Sequence, residues 1–452
     1  VGATANAVAI TATGNIVLAG MSGNDFAAAQ LTETGVLDLG FGGGDGVVTV
    51  DFGSSGDVAY DAAITASGKI VLAGKTVTSG NELFAVAQLT ALGVLDTAGF
   101  GAGTGKATVD FGAGFEEAIA VAITGSGSIV VAGRGGNDFS VAQLTSTGGL
   151  DTNFSGDGKA TVDFAGKVDL AYDVVVRSTG QIVVAGHARD ALDNINFGVA
   201  QLTALGALDT TFGSGTGTVQ TDFAGGFDVV LGVALTDTGD VIAAGQAFLA
   251  GHAQVDFALA KYTPAGILDS GFGAGDGTVT FDLGYNARED VAQAIVRLDD
   301  GSFVLGGSSE ESLGRAGALA RFLADGTLDT TFGDNGTLLL DLDGETFFIT
   351  GLAADNLGRI IVVGGLNADM GVVRLLANGA FDTSFGGGDG WVAIDFAGGA
   401  DSANAVKVTG AQIGPTATPR THMQTVQTKT GNWDGPCKLL KQSLQRGKSR
   451  SY

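Results

Sequence analysis

One short phrase, Leu-Asp-x-x-Phe-Gly, returns seven times along this chain. Its Asp falls at Asp38, Asp96, Asp151, Asp209, Asp269, Asp329 and Asp382. The spacings are 58, 55, 58, 60, 60 and 53 residues, a unit of about 57. Its Phe falls at Phe41, Phe100, Phe154, Phe212, Phe272, Phe332 and Phe385. The copies vary: an extra residue separates Asp96 from Phe100, Ser155 replaces the Gly, and Phe381 replaces the Leu. A unit this small cannot bury its own apolar face. Tandem copies must therefore stack or close into a ring.

Each copy reads as four strands. In the second copy these are "VAYDAAIT" (58–65), "KIVLAG" (69–74), "LFAVAQLT" (83–90) and "ATVDF" (107–111). Short runs of Ala, Val, Ile and Phe between Gly, Ser and Asn turns signal antiparallel strands. The second strand is almost entirely apolar, which expects burial on both faces. Gly is abundant, 77 of 452 residues, with only 4 Pro, which fits many tight turns rather than a linker. No stretch sustains a helical period. The expectation is an all-β fold, a seven-bladed β-propeller of four-stranded antiparallel blades. An eight-bladed or incomplete propeller is the alternative, because the first-strand pattern occurs an eighth time. "ANAVAIT" (5–11) returns as "ANAVKVT" (403–409). Ring closure is expected to set residues 391–396 beside the N-terminal strands, with the spare strand competing or displaced. A parallel β-helix fits less well, since it lacks the hairpin turns.

The propeller is expected to span 1–410. From residue 411 the composition changes: 411–452 holds three of the four Pro, the single Cys (Cys437), seven Lys or Arg and one acid, Asp434. That basic tail reads as disordered or foreign to the repeat. The whole chain carries a formal charge of −25, which argues against a nucleic-acid partner. One Cys allows no intrachain disulfide. No run of 18 apolar residues suggests a membrane span. The chain opens at Val1 without a signal-peptide pattern, which reads as a mature or trimmed chain. It is expected to be a monomer.

"LDTTFG" (208–213 and 328–333), "GKIVLAG" (68–74), "NDFSVAQLT" (137–145) and the Gly-Asp-Gly before the fourth strand resemble the delta-60 repeat family of bacterial proteins. The resemblance covers 1–410. It implies a β-propeller in a secreted or cell-surface bacterial setting. It implies no defined activity and no catalytic residue. The family usually has Arg where the third strand has Gln30, Gln88, Gln143 and Gln201; Lys261, Arg321 and Arg374 match it better.

Three sets of residues could carry chemistry. Asp45, Asp157, Asp276 and Asp389 sit in Gly-Asp-Gly loops, and Asp334 in "GDNG". Clustered Asp with loop carbonyls suits Ca²⁺. The plainer reading is a turn, because the Gly that follows is kept in all seven copies while Thr104 and Thr216 replace the Asp. The anchor Asp is expected to form an Asx turn, with its Phe plugging between blades. A fourth-strand Asp recurs from Asp51 to Asp395, either as an inward ring of carboxylates or bonded to the neighbouring blade's backbone. Arg288, Glu289, Asp290, Glu310, Glu311 and Arg315 are the densest charged departures from the repeat and mark a candidate ligand face. His187, His252 and His422 show no metal or catalytic spacing. The expected function is a non-catalytic propeller scaffold or interaction module for an unknown protein or glycan, with calcium as a stabilising ion. The alternatives are a ligand- or glycan-binding propeller, or a hydrolase or lyase at the central channel.

Overall fold

The computed structural model describes residues 3–53, 56–223, 225–248, 255–283, 290–311, 314–342, 344–367, 369–394 and 402–403. Seven antiparallel sheets follow one another in chain order, each with its four main strands in sequence. Blade 1 contains Ala3–Ile10, Ile16–Ser22, Asp25–Leu31 and Val47–Val50. Blade 2 begins at Val58–Ile64, blade 3 at Glu116–Ile123, blade 4 at Leu170–Val176, blade 5 at Val229–Leu235 and blade 6 at Asp290–Arg297. Blade 7 runs from Phe347–Ala354 to Trp391–Ile394. Two short 3₁₀ turns are the only helical elements among the described residues. The fold is a seven-bladed β-propeller.

The first strands of successive blades pack against one another and form the inner wall of the ring. Each chain segment then steps outward to a fourth strand of only four residues. The second strand is buried throughout its apolar run, as in Ile70–Ala73 and Ile182–Ala185. The Gly that ends this run faces a bulge in the first strand. A Cβ on Gly74 would stand 1.9 Å from the Val58 carbonyl oxygen. No larger residue fits there without moving the backbone.

Blades are locked together by the anchor. Each anchor Phe lies under the turn Gly of the next blade: Phe41 under Gly93, Phe100 under Gly148, Phe154 under Gly206, Phe212 under Gly266, Phe272 under Gly326 and Phe332 under Gly379. The residue after that Phe donates its N–H to a carbonyl of the same turn, as from Gly42 to Leu92 at 2.9 Å and from Gly213 to Ala265 at 2.9 Å. The seventh clasp closes the ring. Phe385 packs under Gly35, and Gly386 donates to the Thr34 carbonyl.

Closure therefore needs no exchanged strand. Trp391–Ile394 pairs with Asp369–Leu375 inside blade 7, not with the N-terminal strands. The expected arrangement at 391–396 is corrected for a physical reason: all seven blades are already complete in sequence, and side chains span the seam. Arg374 donates to the Glu33 carbonyl, and Arg359 meets the Glu33 carboxylate at 3.0 Å. Of the spare first strand, Ser402–Ala403 lies parallel to Thr4–Ala5. Residues 404–409 and the tail at 411–452 lie outside the described residues.

Phe212 is fully buried. Phe212→Ala should remove a plug shared by blades 4 and 5 and lower stability by about 3–5 kcal/mol. Urea unfolding followed by tryptophan fluorescence should show an earlier midpoint. An unchanged midpoint would mean that the plug is not what holds the blades together.

Candidate functional site

The loops joining strands two and three, and those leading from strand four to the next blade, open on one end of the ring, here the upper face. The anchors and the Gly-Asp-Gly loops open on the other. The two ends use their polar residues differently.

On the lower face the anchor Asp does form an Asx turn. Asp38 accepts from the Gly40 N–H at 3.0 Å and Asp329 from the Thr331 N–H at 3.0 Å. Its second oxygen meets the polar third-strand residue of its own blade. Gln201 donates to Asp209 at 2.8 Å, Lys261 to Asp269 at 2.9 Å and Arg374 to Asp382 at 2.8 Å. The Lys261 bond, with the Gly271 amide, holds the Asp269 carboxyl below its ordinary value. The Gln-to-Arg variation therefore changes how a turn is clamped.

In the Gly-Asp-Gly loops, Asp45 accepts from the Val47 N–H at 3.1 Å, Asp157 from Lys159 at 2.9 Å and Asp276 from Thr278 at 2.9 Å. Asp334 is held by the Asn335 amide at 3.0 Å. Asp389 is exposed on the same face. Each of these acids sits in a separate blade.

The fourth-strand Asp residues are not an inward ring. They lie at the outer end of the outermost strand and are exposed, capping their own loops: Asp110 accepts from Gly112 at 2.6 Å and Asp341 from Gly344 at 2.8 Å. Asp395 lies outside the described residues.

The upper face brings together acids that sequence spacing did not group. Asp25, Asp51 and Asp57 offer carboxylate oxygens within 4.8 Å of one another, as do Asp138, Asp163 and Asp169, and Asp256, Asp282 and Asp290. One Asp opens strand three, one follows strand four, and one precedes the next blade's first strand. The last position is also a latch. Asp57 accepts from the Phe52 N–H at 2.8 Å, Glu116 from Phe111 at 2.7 Å, Asp169 from Phe164 at 3.0 Å and Asp228 from Phe223 at 2.8 Å. It ties down the crossover between blades. Its regular place at the start of the first strand in blades 2 to 6 was a signal in the sequence. Burial raises the Asp25 carboxyl, and Asp51 and Asp57 add to the rise. Burial likewise raises Asp138, Asp169 and Asp290. Three such carboxylates could share a cation or retain a proton. In blades 2, 4 and 6 the opening Asp of strand three is replaced by Leu83, Asn196 and Ala316. The groups thus skip every other blade.

Of the charged departures expected to mark a ligand face, Asp290 belongs to the third of these groups. Arg288 and Glu289 lie outside the described residues, and for Glu310, Glu311 and Arg315 only the backbone is described, in the paired strands of blade 6.

A different set converges at the inner upper end of blades 2, 3 and 4. Lys75 reaches Glu82 at 2.7 Å and Glu117 of the next blade at 3.6 Å. The Tyr60 hydroxyl meets both Lys75 and Glu117; burial, and then Glu117, push its pKa up to about 12. Arg134 lies opposite Glu117 across the strand pair. Tyr172 stacks at a tilt on His187, ring centres 5.7 Å apart. Burial, and then Arg189 and Arg134, push His187 down to about 4, so its imidazole is neutral at pH 7. Its Nδ1 is buried with no hydrogen-bond partner. Lys75, Arg134 and His187 fill one strand-two position, which holds Met21, Gln246, Ser308 and Gly365 in the other blades, and Tyr60 and Tyr172 share one first-strand position. The residue type there changes from blade to blade, so periodicity gave no common chemistry to follow.

Among the described residues no helix is long and apolar enough to cross a membrane. Five stretches, 65–98, 125–154, 177–212, 298–332 and 358–385, match the family model described as a domain of unknown function (DUF5122) beta-propeller. No curated protein sequence matches the chain. Among solved structures, an ulvan lyase bound to a GlcA(1-4)Rha3S oligosaccharide is 11% identical, covering 84% of this chain and 95% of that one, with TM-score 0.46. A catalytically inactive virginiamycin B lyase from Staphylococcus aureus with quinupristin is 12% identical, covering 80% and 91%, with TM-score 0.43. Sqt1 from Chaetomium thermophilum is 11% identical, covering 80% and 92%, with TM-score 0.43. The family matches support a β-propeller repeat family.

Asp228 gives a test of the latch. It is buried, and burial raises its pKa from 3.8 to about 6. A carboxyl raised in the folded state contributes stability that is full below pH 3.8 and lost as pH rises through about 6. Wild type should therefore lose more melting temperature between pH 4 and pH 7 than Asp228→Asn. Parallel melting curves across that window would show that Asp228 does not titrate there.

Proposed function

We propose that this propeller is a rigid, non-catalytic interaction module of a secreted or surface bacterial protein, presenting its upper face to a protein or glycan. One observation carries the reading. The repeated polar residues on the lower face are engaged in building blades and clasps, whereas a set of polar residues that changes from blade to blade converges on the upper face of blades 2 to 4. A ring fixed by seven clasps holds such a patch in place at little further entropic cost to binding. The secreted or surface setting rests on the resemblance of the repeats and on the acidic charge. Polar groups on three different blades favour a ligand contacted from several sides.

An enzyme at the same end of the ring is the second reading. The observation favouring it is the neutral His187 in ring contact with Tyr172, two side chains of the kind that exchange protons with substrates.

The proposal includes a stabilising divalent cation, supported by the crowded carboxylates of the upper face and the Asp-bearing loops of the lower. Thermal unfolding of the full chain in EDTA and in millimolar Ca²⁺ tests it. A melting temperature several degrees higher in Ca²⁺ is expected. Equal temperatures would leave the aspartates as turn and latch residues. Binding is tested on glycan and peptide arrays with wild type, Lys75→Glu and Leu357→Ser, the last an exposed site on the lower face. Lys75→Glu should lose binding and Leu357→Ser should keep it. Equal loss in both would overturn the choice of face.

A further inference from the structure

We infer that the patch formed by Lys75, Glu117, Arg134, Tyr172 and His187 binds a carboxylate group on a small polar ligand. The inference deepens the interaction-module reading and rests on it for the choice of face.

Arg134 is the strongest pointer. It is half-buried, and its Nε donates to the Gly136 carbonyl at 3.0 Å. Among the described residues it makes no ion pair, although Glu117 lies opposite it in register. Its two Nη groups remain as a planar fork, the geometry that suits two carboxylate oxygens. The second pointer is independent. His187 Nδ1 is buried and unpartnered, against the Tyr172 ring. Buried polar atoms without partners are uncommon because each forfeits its hydrogen bond to water. Both Arg134 and Arg189 act on His187 in the same sense, disfavouring its cation. Arg189 is balanced by Asp193, whereas Arg134 has no ion-pair partner among the described residues. Such a cation stands out in a chain whose formal charge is −25.

The surroundings set the ligand's charge. Glu82 and Glu117 hold Lys75 on one side, and Asp193 holds Arg189 at 3.3 Å on the other. A dianion such as phosphate would face these acids at close range, whereas a monoanion needs only the Arg134 fork and one further donor. The Tyr172 hydroxyl, and the Glu117 carboxylate beyond its contacts with Lys75 and Tyr60, can bond hydroxyl or amino groups next to the carboxylate. Two ligand types share that chemistry: an acidic sugar and an acidic amino acid.

The test uses histidine NMR on the full chain, which has only three His, so that His252 and His422 serve as internal references. The probes are glucuronate and glutamate, with glucose and glutamine as uncharged counterparts. At least one acid should shift the His187 resonance saturably and raise its pKa, because a bound anion favours the imidazolium. The uncharged counterparts should not. The acid that saturates at lower concentration identifies the source of the carboxylate. Arg134→Gln should weaken binding roughly tenfold or more, and Arg134→Lys, which keeps the charge but loses the fork, should weaken it several-fold. Leu357→Ser should bind as wild type. No saturable response to either acid by the folded protein, or wild-type affinity in both Arg134 variants, would overturn the inference. Array binding that persists after such a result would leave the interaction module standing with its contacts elsewhere.

Discussion

The whole ring depends on a Phe from one blade lying beneath a Gly of the next. That Gly is in the left-handed backbone region, φ +74° at both Gly93 and Gly266, and a Cβ there would sit 2.7 Å or less from the preceding blade's Phe ring or backbone. Two separate demands therefore fall on one residue, and only glycine meets both. The paired N–H to carbonyl bond adds about 1 kcal/mol per seam. Its larger effect is geometric, since a directional bond fixes how far each blade rotates about the axis. Seven such contacts with one geometry leave no seam different in kind from the others. That is why the ring closes between Phe385 and Gly35 without borrowing a strand.

The clasp also explains why polar residues are distributed as they are. It occupies the lower face, where the anchor turn must be held rigidly to aim its Phe. The Asp of the anchor and its Gln, Lys or Arg partner do this holding, and at two seams the cation extends into the next blade. Arg321 donates to the Ala377 carbonyl at 2.7 Å, and Arg374 crosses the closing seam. The upper face carries the latch acids but no clasp. Residues at its inner end are therefore free to differ from blade to blade, and Lys75, Arg134 and His187 show that they do at one strand-two position.

Most of the architecture was legible in the sequence because repetition checks itself. Seven anchors, seven strand-two glycines and alternating apolar strands all require the same blade. Closure was misjudged for want of side-chain information: nothing in "WVAIDF" separates an exchanged strand from an ordinary fourth strand, and Arg374 and Glu33 are far apart in sequence. The fourth-strand Asp was left between an inward ring and a bond to the neighbouring blade's backbone, and it does neither but caps its own loop, because strand order alone does not say which end of a blade lies on the axis. The carboxylate groups were hidden by spacing. Asp138 and Asp163 are 25 residues apart and become neighbours only through the strand pairing that sets Phe139 opposite Val162. The patch on blades 2 to 4 was hidden by the repeat itself. A lone Lys75 or His187 reads as a departure from the pattern until three blades bring the departures together.

The carboxylate groups and the patch occupy the same face at different radii. The groups lie where the ends of strands three and four meet the crossover to the next blade, and the patch lies on strands one and two, closer to the axis. A ligand carrying negative charge thus meets a repulsive field over the rim before it meets Arg134. The two effects have different ranges. Rim repulsion acts across solvent and fades beyond a Debye length of about 8 Å at physiological ionic strength. The Arg134 fork acts at contact and in a half-buried setting, where screening is weak. Salt or a divalent cation on the rim acids would lower the outer barrier while leaving most of the inner attraction in place. For the proposed carboxylate site, the rim acids would thus favour small monoanions over polyanions whose charges extend back over the rim.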